Sequence, residues 1–298
     1  MSDLAAAKST GSRVRIVPAD GVVGDAELRH EFANSGAVAL QDIANADDMA
    51  AIAKTYTSVM NQYFIVPPRP TILYKVDFTP TRCPEFYALD FFARLRRVAG
   101  YLLDATETSE LVIWAEALEK AAGAGPTPWH QDPGFWGSTS YSQLTGDSRA
   151  AVLASKYDFR GAICWMPLHD VGEDNSCIWV APESHRALRA HTNEPTTVRE
   201  WDGHCRVGDT EAEACPLRAG DAVMMDIALA HMTGPNNSAH PRRSISLLIL
   251  HGEGMEDFLR SGERRRIRRL RSTGRMVDDD IAAERAKATT FWRERQDH

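Results

Sequence analysis

A mainly β fold with flanking helices is predicted for this 298-residue chain by the order of its sequence patterns. Helical periodicity prevails from about residue 24 to residue 103, and short apolar strands bounded by turn residues prevail from about residue 110 to residue 251. Another helical stretch covers about residues 255–298. Helices followed by a run of strands indicate a double-stranded β-helix core, a jelly-roll or cupin-like arrangement, with helices packed on one sheet. The length fits one such domain over residues 1–298.

The early elements have recognisable boundaries. Asp25 can cap the first helix, and Asn45 or Asp47 can cap the second, whose apolar residues fall on one face. A third helix is predicted from the apolar spacing that begins at Phe86. The predicted elements are strands at residues 13–17 and 37–40, and helices at residues 24–36, 45–63 and 85–103.

A His-x-Asp triplet is the centre of the predicted site. Because side chains alternate along a strand, His130 and Asp132 would project to one side and Gln131 to the other. Pro133 and Gly134 would end the strand at once. An imidazole and a carboxylate on one face make two thirds of the 2-His-1-carboxylate set that holds non-haem Fe(II).

A third ligand is available at His231, after a short apolar strand predicted at residues 222–227. His231 is expected to open a loop. Behind that loop, an apolar strand begins with Arg242 and Arg243. An arginine at the mouth of a buried strand favours an anion, since its planar fork matches a carboxylate.

These motifs resemble the phytanoyl-CoA dioxygenase family of Fe(II)/2-oxoglutarate oxygenases. The resemblance is specific from residue 123 to residue 250, and the chain departs from the usual glycines of the pattern at Ser176 and Glu183. The matching segments are residues 129–132, 164–168, 175–180, 182–185 and 220–221, with His231, Asn236 and Arg242.

The resemblance implies a cofactor set and residue roles. Fe(II) would be held by His130, Asp132 and His231, and the reaction would consume 2-oxoglutarate and O2, releasing succinate and CO2. Arg242 would hold the far carboxylate of 2-oxoglutarate, Thr233 would offer it a hydroxyl, and Trp165 would lie beside it. Arg243 would point the other way. Because a carboxylate fills the position that related halogenases leave to chloride, halogenation is disfavoured.

The substrate is expected to be a small apolar or ring-containing metabolite that is hydroxylated, desaturated or otherwise oxidised at an unactivated C–H bond. This expectation depends on large apolar side chains near the ligands, at Phe135, Trp136, Trp179 and Met225. The same residues could instead all belong to the core. An inserted loop at about residues 137–159 is expected to cover the pocket.

Two other classes remain open from the sequence. A cupin-like metal-dependent hydrolase or isomerase would use the same three ligands without 2-oxoglutarate, but it would have no use for Arg242. A catalytically silent binding protein on this fold would be marked by the loss of a ligand, and none is lost here.

Composition limits the partners. A formal charge of −7 argues against general nucleic-acid binding, and no stretch approaches the length of a membrane span. The five scattered cysteines indicate reduced thiols, and residues 1–13 lack the apolar core of a signal peptide, so a cytoplasmic location is expected. The arginine-rich segment 260–275 could bind nucleic acid or an anionic membrane, but it is interpreted as a solvated helix that pairs with acidic neighbours. A small-molecule substrate is expected, and a homo-oligomer is compatible with the sequence.

Overall fold

The computed structural model describes residues 13–63, 74–78, 83–105, 111–132, 161–186, 205 and 207–251. These residues form ten strands and four α-helices, and the expected mainly β, double-stranded β-helix architecture is confirmed. The helices are α1 (Ala26–Ser35), α2 (Ala46–Tyr63), α3 (Pro84–Tyr87) and α4 (Asp90–Leu102). The strands are β1 (Arg15–Pro18), β2 (Ala37–Gln41), β3 (Tyr74–Phe78), β4 (Leu111–Lys120), β5 (Gly161–Pro167), β6 (Ile178–Val180), β7 (Glu213–Cys215), β8 (Ala222–Asp226), β9 (His231–Thr233) and β10 (Arg242–His251).

Two sheets face each other across an apolar interior. The large sheet has seven strands in the order β1-β2-β8-β5-β10-β4-β3, and the small sheet has three in the order β7-β6-β9. One core cluster joins the inner faces of both sheets, for example through Ile163 and Val223 of the large sheet and Val180 of the small one. A second cluster packs the helices on the outer face of the large sheet. The interior between the sheets is therefore enclosed by β-structure, as in a jelly roll.

The helix termini are held by their own side chains. The Leu28 amide donates to Asp25 Oδ1 at 2.9 Å, and α1 ends at Gly36, which has φ of 80°. At the start of α2, the Asp48 amide donates to Asn45 Oδ1 at 2.9 Å and the Asn45 amide donates to Asp48 Oδ2 at 3.0 Å. This reciprocal pair is a capping box.

The single helix predicted over residues 85–103 is wrong in one respect. The backbone is extended at Leu89, so the segment forms α3 and α4 instead of one helix. The interruption lets four neighbouring rings, those of Phe86, Tyr87, Phe91 and Phe92, all pack in the core, where an unbroken helix would turn some of them outward.

The register of β4 and β10 determines what faces the interior. Arg242 lies opposite Lys120, and Ser246 lies opposite Glu116 on one side and Trp165 of β5 on the other. Because side chains alternate along a strand, this set points toward the small sheet. Arg243 points outward, where its Nε donates to Glu119 Oε2 at 2.9 Å.

Several sequence expectations lie outside the described residues: Phe135, Trp136, the loop at about residues 137–159, and the C-terminal segment with its arginines. All five cysteines are described, and each is a buried thiol outside any disulfide. Within the described ranges, no helix has both the length and the apolar character needed to cross a membrane.

Candidate active site

The two histidines of the predicted site face each other across a pair of short segments. His130 forms an isolated antiparallel bridge with His231, and each donates its amide to the other's carbonyl, at 3.0 and 2.9 Å. Their rings lie on the same side of this pair, with centroids 4.2 Å apart. His231 belongs to β9, so the expectation that it opens a loop is wrong. The backbone pairing therefore sets the distance between the two imidazoles.

Backbone carbonyls orient both rings. His130 Nδ1 lies 2.8 Å from the Pro128 carbonyl oxygen, and His231 Nδ1 lies 2.9 Å from that of Leu229. A carbonyl can only accept, so each Nδ1 must carry the hydrogen. In a neutral ring the lone pair is then on Nε2, which is the arrangement that a metal-ligating histidine needs.

Asp132 completes a three-residue set. Its Oδ1 lies 3.6 Å from His130 Nε2 and 3.8 Å from His231 Nε2. The three ligand atoms all lie within 4.8 Å of one another, which is a spacing that one metal ion can bridge. Two imidazoles and one carboxylate suit a divalent transition metal, and a set of only three protein ligands leaves coordination positions open.

Gln131 points away from this set, as alternation predicts, although residues 130–132 do not form a regular strand. Its side-chain amide donates to the Ser184 carbonyl at 3.1 Å and to the Ala228 carbonyl at 2.6 Å. In turn, the Ala230 amide donates to Ser184 Oγ at 2.8 Å. These contacts join the His130–Asp132 segment to the chain that leads into His231.

The segment 182–185 also fixes the end of α1. The Glu183 amide donates to the Ser35 carbonyl at 2.7 Å, and His185 Nε2 lies 3.1 Å from the Ala33 carbonyl. Ser176 and Glu183, the two positions where the family pattern has glycine, both have φ of 71°. The chain therefore keeps the left-handed backbone there with residues that disfavour it.

Arg242 is a fully buried cation in the same interior. Its Nη1 contacts Ser244 Oγ, but Nε and Nη2 have no hydrogen-bond partner among the described residues. The guanidinium carbon lies 5.3 Å from the ring centroid of Trp165, whose Nε1 is also buried and has no hydrogen-bond partner in the described part of the chain. Burial lowers the pKa of Arg242 to about 10, so the group stays charged at neutral pH. Unpaired buried donors around a buried cation fit a carboxylate ligand.

Thr233 lies on β9 two residues after His231. Its hydroxyl is 3.0 Å from Thr127 Oγ1, and its amide donates to that same oxygen at 2.7 Å. Lys120 Nζ donates to the carbonyls of Thr233 and Gly234, at 3.2 and 2.6 Å. Seven buried polar residues thus surround this end of the interior: Lys120, Thr127, Ser176, Thr233, Asn236, Arg242 and Ser244.

The structure brings some predicted pocket residues to the interior and not others. Trp165 and Met225 are buried in the cluster between the sheets. In the pairing of β6 with β9, Ile178 and Val180 lie opposite Thr233 and His231. Trp179 lies between them and opposite Met232, so its side chain points to the other face. Trp179 is therefore on the face of β6 opposite to the metal set.

Other interior residues were missed by sequence reasoning. Trp114, Glu116 and Ser246 lie on the inner face of the large sheet and are only half-buried, although their strands are central. Every second residue of β4 faces the same side as Lys120, so alternation from Lys120 would have identified Glu116 and Trp114. No neighbouring sequence feature, however, indicates that Lys120 is buried. Their partial exposure indicates open space beside Trp165.

Comparisons with known proteins agree with this fold. The model of the phytanoyl-CoA dioxygenase (PhyH) family matches residues 32–244. EvdO2 from Micromonospora carbonacea var. aurantiaca is 24% identical with a TM-score of 0.58, covering 76% of this chain and 91% of that one, and it has also been crystallised with 2-oxoglutarate. The α-ketoglutarate-dependent carbocyclase SnoK from nogalamycin biosynthesis is 18% identical with a TM-score of 0.56, over 78% of this chain and 86% of that one.

EctD from S. alaskensis, with 2-oxoglutarate and 5-hydroxyectoine bound, is 19% identical with a TM-score of 0.54, and the match covers 84% of this chain and 87% of that one. A search of curated protein sequences found no match. The match of the family model covers well over half of the chain and includes the His130–Asp132 segment, His231 and Arg242. The chain belongs to the phytanoyl-CoA dioxygenase (PhyH) family.

Proposed function

We propose that this protein is a non-haem Fe(II)- and 2-oxoglutarate-dependent oxygenase that oxidises an unactivated C–H bond of a small metabolite. One combination carries the proposal: a three-ligand metal set and a fully buried, incompletely paired arginine face the same interior. A cupin-like hydrolase or isomerase would need the metal set but would gain nothing from an uncompensated buried Arg242. A dicarboxylate cosubstrate accounts for both.

The protein's contribution is to hold and orient the reactants. Fe(II) and 2-oxoglutarate, when bound, supply the activation of dioxygen, with release of succinate and CO2. His130, Asp132 and His231 would hold the metal through two imidazoles and one carboxylate, a donor set that suits Fe(II). The carbonyls behind each Nδ1 keep the rings in the tautomer that can ligate.

Arg242 would hold the far carboxylate of 2-oxoglutarate through Nε and Nη2, the edge of its fork that the described residues leave unpaired. Trp165 would lie against the cosubstrate and offer its Nε1–H, and Thr233 would add its hydroxyl. The buried surroundings strengthen these contacts, since burial weakens the screening of charge. They also keep water away from the reacting centre.

The proposed substrate is a small molecule with an apolar or ring-containing body. The half-buried Trp114, Glu116 and Ser246 offer a surface for it on the inner face of the large sheet, next to Trp165. Met225 lies further along the same face. Hydroxylation is the proposed outcome, with desaturation as its variant.

The test is anaerobic addition of 2-oxoglutarate to the Fe(II)-loaded protein. A weak visible metal-to-ligand charge-transfer band is expected in the wild type, and addition of air should then yield succinate. The Asp132→Ala variant, with the fold checked by circular dichroism, should give neither. A wild-type protein that binds Fe(II) tightly but never develops the band would refute the assignment of the cosubstrate.

A further inference from the structure

Lys120 is a second basic residue in the interior, and the proposed function gives it no role. The side chain is fully buried and lies directly opposite Arg242 across the β4–β10 ladder. Its amine donates to the carbonyls of Thr233 and Gly234 at 3.2 and 2.6 Å, and no carboxylate among the described residues pairs with it. Two neighbouring basic groups are thus buried together without a described counter-charge.

The charge state of Lys120 follows from this position. Burial, and secondly repulsion by Arg242, lower the pKa of its amine to about 6. At neutral pH the amine is therefore mostly uncharged in the ligand-free protein. A neutral amine has two hydrogens, which is the number that the two carbonyls accept. The hydrogen bonds of the ligand-free state consequently do not require a third proton.

Within the described part of the chain, Arg242 is the charged group that shifts the pKa of Lys120. On its own strand, Glu119 faces outward and pairs with Arg243. Tyr56 of α2 donates to the Leu118 carbonyl, and burial raises its pKa. Burial raises the pKa of the Cys177 thiol before β6 to about 12, so this group is neutral too. On β3, Lys75 occupies the register position opposite Leu118.

We propose that Lys120 is a proton acceptor linked to cosubstrate binding: when a dicarboxylate dianion enters beside Arg242, one proton moves from solvent buffer to the amine of Lys120. The inference rests on the proposed function for the identity of the dianion as 2-oxoglutarate. The proton balance is simple, because the buffer acid loses a proton and the neutral amine becomes an ammonium. The ammonium of Lys120 would then join Arg242 beside the far carboxylate of the ligand.

Electrostatics gives the sign of the effect. An anion in a poorly screened cavity favours the charged form of a nearby amine, so the pKa of Lys120 is higher in the complex than in the free protein. Between the two pKa values, binding takes up a proton. Apparent affinity for 2-oxoglutarate should therefore fall about tenfold per pH unit as pH rises above about 6 toward the pKa of the complex.

Calorimetry can measure the proton directly. 2-Oxoglutarate is titrated anaerobically into the Fe(II)-loaded protein at pH 7.5, in two buffers with different ionisation enthalpies. Wild type should take up close to one proton, and the difference between the buffers should nearly vanish in Lys120→Met. Lys54→Met, which removes an exposed lysine of α2, is the matched control and should behave as wild type. Equal proton uptake in Lys120→Met and wild type, or none in wild type, would overturn the proposal.

A second measurement covers the case in which Lys120→Met does not fold. The chain has six lysines, so their side-chain carbons can be labelled and followed by NMR in wild type, with Zn²⁺ in place of iron. One lysine should titrate near pH 6 without 2-oxoglutarate and well above that with it; six lysines that all titrate above pH 9 would refute the inference. A charge-transfer band without proton uptake would defeat only this inference, whereas the absence of any 2-oxoglutarate binding would defeat the proposed function with it.

Discussion

Replacing Arg242 should separate cosubstrate binding from folding. Arg242→Met removes the guanidinium but keeps an apolar chain of comparable length against Trp165. The matched control is Arg243→Met, the next residue, which has an exposed side chain paired with Glu119 on the outer face. Both changes remove one positive charge from the same strand, so any difference between them comes from the side of the sheet that each arginine faces.

The structure sets the size of the effect. Two of the three guanidinium nitrogens of Arg242 are buried without partners among the described residues, so a bound carboxylate would form charge-assisted bonds in a dry site. Loss of such a pair costs about 2–5 kcal/mol, which corresponds to a weakening of 2-oxoglutarate binding by roughly 30-fold to several thousand-fold. Arg243→Met should change the affinity by less than about fivefold, because exposed ion pairs contribute at most about 1 kcal/mol.

The thermal stability of the ligand-free protein should not fall in Arg242→Met, although the affinity for 2-oxoglutarate does. In the ligand-free protein, Arg242 is a buried charge without a described counter-charge, so Arg242→Met should leave thermal stability unchanged or raise it. The assays are anaerobic titration followed through the charge-transfer band, and thermal unfolding without ligand. A variant that unfolds more easily but binds 2-oxoglutarate normally would show that Arg242 is structural, and equal loss of affinity in both variants would refute the assigned register.

Four further outcomes are expected. Alanine at His130, Asp132 or His231 should each weaken Fe(II) binding by orders of magnitude in a chelator competition while the circular dichroism spectrum is unchanged, and wild-type affinity in any variant would remove that residue from the site. Without ligand, the free energy of unfolding of wild type relative to Lys120→Met should rise between pH 6 and 9, by up to about 1.4 kcal/mol per pH unit. The reason is that Lys120 binds a proton in the unfolded chain and has lost it in the folded protein. If urea unfolding shows that the difference between the two proteins does not change with pH, Lys120 is not buried as a neutral amine. Glu183→Gly should stabilise the protein by about 1 kcal/mol, since Glu183 is exposed and has φ of 71°, and unchanged stability would show that no strain is stored there. Product formed under ¹⁸O₂ in chloride-rich buffer should gain one labelled oxygen or lose two hydrogens; a chlorinated product in the mass spectrum would contradict Asp132 as a ligand, because three protein ligands and a chelating cosubstrate leave one position of six.

Local signals account for what the sequence predicted correctly. Asp25 and the capping box of Asn45 and Asp48 each act within one helical turn. The sequence therefore predicted the bounds of α1 and α2 to within two residues. The difference between Arg242 and Arg243 depends only on alternation along one strand. Arg242 is buried in the interior and Arg243 is exposed on the outer face, as expected.

What the sequence did not predict depends on long-range pairing. Lys120 resembles an ordinary surface residue until its register opposite Arg242 is known. Trp179 looked like a pocket residue from its neighbours, but the pairing of β6 with β9 turns it to the other face. The break at Leu89 likewise depends on how four rings pack against the large sheet, which no helical periodicity contains.

Two buried basic groups make the ligand-free interior costly, so other contacts must hold this part of the fold. Asn236 is a principal one: its side-chain amide donates to the carbonyls of Lys120, Ala121 and His240, at 3.3, 3.0 and 2.8 Å. It thereby joins the end of β4 to the approach to β10, and Arg242 and Lys120 are held together even before an anion arrives. Because the two groups already lie side by side in the free protein, a bound dianion meets both without first having to bring them together. Wild type should consequently bind 2-oxoglutarate more tightly than Lys120→Met, and at equal ligand concentration the rise in melting temperature should be larger in wild type.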